Sequence, residues 1–227
     1  MKIMSLKRSI LTTVLLGTIA VLSSTVMVRA GTFSFSMNSI DGNTMLDGTQ
    51  FQLSTLMFAP GQVEFTISNQ FGFFEAFIGQ IYWDDDANVL LSLDPINADP
   101  GINFSEGATP PDLPGGNNIG FFADFGVGAE SPAPTNGINP GEEASFVFIL
   151  VGGMTFADVN TALGNGDLRV GIHVQGIHSD YLIPDEFGEY NEDSDSFVTV
   201  PEPSTLILLL SSAGFLAGAA GFWRKLK

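Results

Sequence analysis

Strict alternation of apolar and polar residues over Gln62-Val63-Glu64-Phe65-Thr66-Ile67-Ser68 commits that stretch to a strand with one buried face, because residues two apart share a side only in an extended chain. The same period runs through Leu168, Val170, Ile172 and Val174, interleaved with Arg169, Gly171, His173 and Gln175, and through Phe33, Phe35 and Met37 between serines. Short apolar runs predict further strands over 76–83, 89–93, 119–125, 145–151 and 196–200, with turn dipeptides such as Asn136-Gly137 and Pro140-Gly141 as punctuation. A single short helix is expected after Thr155, its cap, with Phe156, Val159 and Leu163 on one face and Gly164 ending it in the left-handed conformation. Proline- and glycine-rich stretches between Glu106 and Glu143 read as two long loops inserted in one domain. The whole is mainly β: one antiparallel β-sandwich, with a jelly roll among the arrangements it admits. Strand order does not follow from these patterns.

The two ends obey a different logic. Lys2, Lys7 and Arg8 precede an apolar run from Ile10 to Leu22, and Val28-Arg29-Ala30 sets small residues around a cut between Ala30 and Gly31, so residues 1–30 read as a secretory signal peptide, with a retained anchor as the alternative. At the other end no ionisable side chain occurs from Ser204 to Trp223, a length that suffices to cross a bilayer as a helix, and the basic residues Arg224, Lys225 and Lys227 follow. Positive charge at both ends places the intervening domain, residues 31–199, outside the cytoplasm.

Val200-Pro201-Glu202-Pro203-Ser204-Thr205, the apolar helix at about 204–223 and the terminal basic cluster together resemble the PEP-CTERM sorting signal over residues 200–227. The two prolines around Glu202 exclude helix and keep the segment extended, the state a processing enzyme requires. The resemblance implies export through the secretion machinery and signal peptidase, temporary anchoring in the inner membrane, recognition by an exosortase and delivery to the envelope, cell surface or extracellular matrix of an exopolysaccharide-producing bacterium. Gly79-Gln80-Ile81-Tyr82-Trp83-Asp84-Asp85, the Leu168–Gly176 stretch and Ser194–Val198 are also similar to a recurrent exported domain of such proteins, whose activity is unassigned.

Between the ends, charge is segregated. Of eight Lys and Arg residues only Arg169 lies there, against 24 of the 25 acids, a net of 1 − 24 = −23. Such a field disfavours nucleic acid, and acidic polysaccharide too unless divalent cations bridge the contact. Cysteine is absent, which excludes disulfides, thiolate metal sites and cysteine catalysis and leaves packing to hold an exported domain of about 170 residues. Arg169 is expected to pair with a carboxylate.

No Gly-x-Ser-x-Gly elbow, His-Glu-x-x-His helix or phosphate loop occurs, and His173 and His178, the only histidines, form no triad by sequence proximity to Ser179 and Asp180, so a noncatalytic structural or binding role is expected. Two candidate sites remain. Asp84-Asp85-Asp86 and Asp193 with Asp195 crowd oxygen ligands suited to calcium, though without the EF-hand pattern. Tyr82 and Trp83 are the aromatic side chains best placed to stack on a sugar ring, which with calcium would make a carbohydrate-binding or carbohydrate-active domain the alternative function.

Overall fold

A computed structural model of the protein describes residues 31–35, 40, 46, 48–71, 75–98, 100–178 and 193–200, with the side chains of 94–98, 178 and 193 left out. The signal-peptide, transmembrane and basic-tail expectations therefore lie outside the described residues, as does Met37.

Among the described residues, ten strands form two antiparallel five-stranded sheets. They are β1 (Gly31–Ser34), β2 (Phe51–Ala59), β3 (Gln62–Asn69), β4 (Glu75–Asp85), β5 (Leu90–Ala98), β6 (Phe104–Glu106), β7 (Phe125–Ala129), β8 (Glu142–Leu150), β9 (Leu168–His178) and β10 (Asp193–Val198). One sheet runs β1-β2-β3-β8-β5 and the other β10-β9-β4-β7-β6, so the chain changes sheet at β3 to β4, β4 to β5, β5 to β6, β7 to β8 and β8 to β9. A single helical turn, α1 (Ala133–Asn136), lies in the β7 to β8 connection, and α2 (Phe156–Asn165) in the β8 to β9 connection.

Alternation decides which face each strand buries. In β3, Val63, Phe65 and Ile67 are wholly buried while Gln62, Glu64, Thr66 and Ser68 face outward, and the partner register sets Val63, Phe65 and Ile67 opposite Phe148, Phe146 and Ala144 of β8. The opposing sheet contributes Trp83 of β4. Its ring meets Phe65, Phe146 and Phe148 edge-on, with centroids 6.1, 5.4 and 5.0 Å away, the arrangement aromatic quadrupoles favour. These contacts join the two sheets into one core that also takes in Ile78, Ile81, Val127, Val170, Ile172 and Phe197.

Helix α2 reaches both sheets, packing on β2 and β3 on one side and β9 on the other with Val159, Ala162 and Leu163 buried. Asp158, three residues into the helix, accepts from the Thr155 backbone N–H and hydroxyl at 2.8 and 2.7 Å, which satisfies an otherwise orphaned donor and holds its carboxyl below the usual carboxylate range. Thr155 is thus the cap that the sequence predicts. The helix runs past the expected stop at Gly164 and is capped two residues later by Gly166, which has the positive φ of 86° that a left-handed cap needs.

Several strand assignments differ from the sequence reading, which also lacks the short β6. Residues 119–125, expected as a strand, form the end of a 3-10 turn (Gly116–Ile119) and an irregular segment with Ile119 and Phe122 exposed, and pairing begins only at Phe125. Their apolar run is used instead to cover the outer face of β4 and β9: Phe121 and Leu113 form a second, smaller core with Tyr82, Ala108 and Val198. Strand β2 is missed by the sequence reading because the alternation of Phe51, Leu53 and Thr55 dissolves into the continuous run Leu56-Met57-Phe58-Ala59.

Truncating Trp83 to Ala removes the side chain that bridges the sheets, and the expected loss is about 3–5 kcal/mol, read as a lowered urea midpoint. Gly171→Ala tests the second core separately: a Cβ there would stand 2.7 Å from Leu113 Cδ2 and 3.0 Å from Phe121 Cζ, and the expected cost is about 1–3 kcal/mol by overpacking.

Candidate sorting junction

The folded domain hands over to the tail within three residues. Val198 and Thr199 are 6% and 5% exposed, whereas Val200 is 42% exposed. Thr199 is held to β9 twice: its N–H donates to the Val170 carbonyl and its hydroxyl accepts from the Val170 N–H, both at 2.9 Å. It also forms an antiparallel bridge with Phe35, and the Val200 N–H donates to the Ser34 carbonyl at 3.1 Å. The end of the sheet built on β9 is thereby fastened to the first strand of the other sheet. Gly31, expected as the first residue after signal cleavage, opens β1, where a Cβ would fall 2.5 Å from Asn160 Oδ1 and 2.8 Å from Thr55 Oγ1, so only glycine fits without displacing them. Ala30 lies outside the described residues, as do Pro201 to Thr205 and Arg224, Lys225 and Lys227. Among the described residues no helix is long and apolar enough to cross a membrane.

Beside the junction, Arg169 is the lone base of the domain, and it finds the carboxylate expected for it. It sits directly across from Asp84 in the β4 to β9 register and forms a salt bridge with it. The same guanidinium donates to the carbonyls of Ile119 and Gly120 at 3.2 and 2.6 Å and lies 5.3 Å from the Phe121 ring centroid, fixing the covering loop to the sheet. Burial pushes the Asp84 carboxyl up, and Arg169 and a backbone N–H only partly offset this.

The candidate calcium ligands do not converge. Asp84 and Asp85 are the last residues of β4, not a loop, and so point to opposite faces. Asp84 is occupied by Arg169. Asp85 is buried and accepts from the N–H groups of Val89 and Leu90 at 3.1 and 2.7 Å, closing the turn into β5, while its own N–H donates to Asp124 at 2.8 Å. Burial raises its carboxyl pKa as well. Only Asp86 is exposed. Asp195 is buried, with one oxygen accepting from the Ser196 N–H at 2.8 Å and the other without a partner. The Asp193 side chain lies outside the description, and among the described residues no group of three or more His, Asp or Glu side chains is arranged to hold a metal ion.

The sugar-stacking pair is likewise corrected. Tyr82 and Trp83 are both wholly buried, Trp83 between the sheets and Tyr82 beneath the covering loop, where its hydroxyl donates to the Pro110 carbonyl at 2.9 Å. Burial, aided by Asp112, raises the Tyr82 pKa and keeps the phenol a donor. Adjacent strand residues face opposite ways, yet both faces are covered here, which the alternation alone does not reveal. The sequence reading also misses a pairing: His173 Nδ1 lies 3.1 Å from the buried Ser196 hydroxyl, joining residues 23 apart through the β9 to β10 register. The His178 side chain lies outside the description.

Arg169→Met should cost about 2–4 kcal/mol, since it strands the Asp84 carboxylate and releases the covering loop; adding Asp84→Asn should recover part of that loss, and urea titration of the single and double variants checks both. The raised pKa values of Asp84 and Asp85 make the folded state bind more protons than the unfolded chain just above the ordinary carboxylate range. Their contribution to stability is therefore full at low pH and is lost as pH rises through the folded values. Relief of repulsion among the acids has the same sign. Thermal melts should accordingly give a Tm that falls as the pH is raised from the ordinary carboxylate range toward neutrality.

No curated protein and no solved structure matches the chain. A family model does match, and it begins within the junction itself, at the bridged Thr199. Residues 199–225 carry the PEP-CTERM protein-sorting motif, which implies an exported protein targeted to an exosortase.

Proposed function

We propose that this chain is delivered to the cell envelope or extracellular matrix by exosortase processing and there serves a noncatalytic structural or binding role associated with exopolysaccharide. The observation that carries the reading is the position of the sorting motif, which starts at the last clamped residues of a folded domain with no intervening linker. A cargo that ends where its sorting signal begins suits a protein handed on as a folded unit. The secretion machinery, signal peptidase and, before processing, the membrane are its partners on this route, and nucleic acid is not, given the net charge of the domain.

The domain is read as a jelly-roll-like sandwich. What supports this is the order β3-β8-β5 in one sheet opposite β4-β7-β6 in the other, with the chain passing between them at successive strands; β1, β2, β9 and β10 widen the far side. The noncatalytic reading is supported by how the polar groups are used: Arg169 and Asp84 hold a loop, Asp85 closes a turn, and Ser196 is buried against His173. Calcium-dependent carbohydrate binding gains nothing from Tyr82 and Trp83, which are enclosed.

Replacing Pro201, Glu202 and Pro203 together by Ala in the full-length protein, expressed in its native cells, tests the route. Accumulation of a tail-bearing, membrane-associated precursor is expected on fractionation and blotting; unchanged release of a shortened product would contradict the reading.

A further inference from the structure

The large apolar side chains that this domain exposes are not scattered. Among the described residues, Phe58, Leu91, Ile119, Phe122 and Val200 lie toward one end of the sandwich, Leu56 is two residues before Phe58, and Phe71 lies at the other end, past the close of β3. The first end is where the β2 to β3 turn, the β4 to β5 turn and the start of β9 meet. There the N–H groups of Leu150, Val151 and Ala87 donate to the carbonyls of Gly61, Val89 and Asp167 at 2.9, 3.0 and 2.9 Å. Val200 heads the same way, because β10 runs antiparallel to β9 and Thr199 is bonded to Val170, two residues from the start of β9 at Leu168.

Ile119 and Phe122 are held outward on a fixed backbone. Arg169 binds the Ile119 and Gly120 carbonyls, and the Phe122 N–H donates to the Asp84 carboxylate. Phe121 turns inward onto Tyr82 and Val198, whereas the neighbouring Phe122 is 62% exposed, close to where the chain leaves the domain. Single exposed apolar residues are ordinary, but a group of them gathered where a membrane tether departs marks a surface that meets something. That tether is short. The uncharged apolar run begins at Ser204, and the four residues from Val200 to it can span at most about 14 Å. While the tail sits in a bilayer, this end of the domain stays at the membrane surface.

We propose that Ile119 and Phe122, with Val200 beside them, form a membrane-docking surface that seats the domain on the lipid interface while the precursor is anchored. Aromatic and aliphatic groups at the boundary between headgroups and acyl chains leave water without stranding a polar atom. The surface acts together with the tether: so few side chains hold a domain to lipid only at the high effective concentration that an embedded tail provides, so removal of the tail releases the domain. Asp86 and Asp167, exposed at the same end, disfavour anionic headgroups and suit the surface to zwitterionic lipid. The proposal rests on the membrane-anchored precursor that the sorting motif implies.

The chain has no cysteine, so one introduced cysteine carries a fluorophore at a chosen place. Full-length Ile119→Cys, Phe71→Cys and Leu210→Cys, each labelled and reconstituted in phosphatidylcholine vesicles, are read by quenching from nitroxide lipids whose spin labels lie near the headgroup or deep in the acyl chains. With the shallow quencher, the label at position 119 should be quenched at least about twofold more than the label at position 71, and adding Phe122→Asp should remove that difference. Equal quenching at the two positions, or a difference undiminished by Phe122→Asp, would overturn the proposal. The deep quencher at position 210 separates the two levels. Quenching there without a difference between positions 119 and 71 defeats the docking surface and leaves the anchored precursor standing; no quenching at position 210 defeats the anchored precursor and the proposal with it.

Discussion

Everything in this fold depends on the contact between its two sheets, and that contact centres on one indole. Without cysteines there is no covalent staple, and with a single base between the ends there is little scope for ion pairs. Trp83 against Phe65, Phe146 and Phe148 therefore does what disulfides do in many exported domains, with α2 fastening the sheets a second time through Val159, Ala162 and Leu163. Phenylalanine is well suited to this because it removes a large apolar area from water and leaves no polar atom to satisfy.

The lone base is placed where it does more than neutralise a charge. Arg169 joins a buried carboxylate, two carbonyls and an aromatic face, so one planar group ties the covering loop to the outer face of β4 and β9. Gly171 and Gly126 leave the room that the loop needs, since a Cβ at either would press on Leu113 and Phe121 or on Ala108 and Tyr82. The result is a sheet covered on both faces, which is why neighbouring residues Tyr82, Trp83, Asp84 and Asp85 are all buried although alternation would expose half of them.

Legibility in the sequence follows the same physics. Where one face meets the core and the other meets water, as in β3, alternation is plain and the strand is read correctly. It fails at β2, whose outer face turns apolar at Leu56 and Phe58, and at 119–125, whose apolar residues form a lid instead of a ladder. The Thr155 cap and the Arg169 pairing were readable because each follows from local or charge chemistry. The acids at the end of β4 were not: Asp84, Asp85 and Asp86 look like a ligand cluster until the strand geometry turns Asp84 and Asp85 apart. Pairings across the sheet, such as His173 with Ser196 and Phe35 with Thr199, depend on strand order, which composition and periodicity do not carry.

The ends of the domain meet in the structure as they do in the proposed life of the protein. β1 begins at the expected signal-cleavage point, the sorting motif begins at Thr199, and the Val200 bond to Ser34 and the bridge between Thr199 and Phe35 join the two. A folded cargo bounded on both sides by processing is the central claim, and intact-mass measurement of the mature protein purified from its native cells tests it most directly. The account predicts a product that starts at Gly31 and lacks Arg224 to Lys227; a mature chain that retains that basic tail would contradict it.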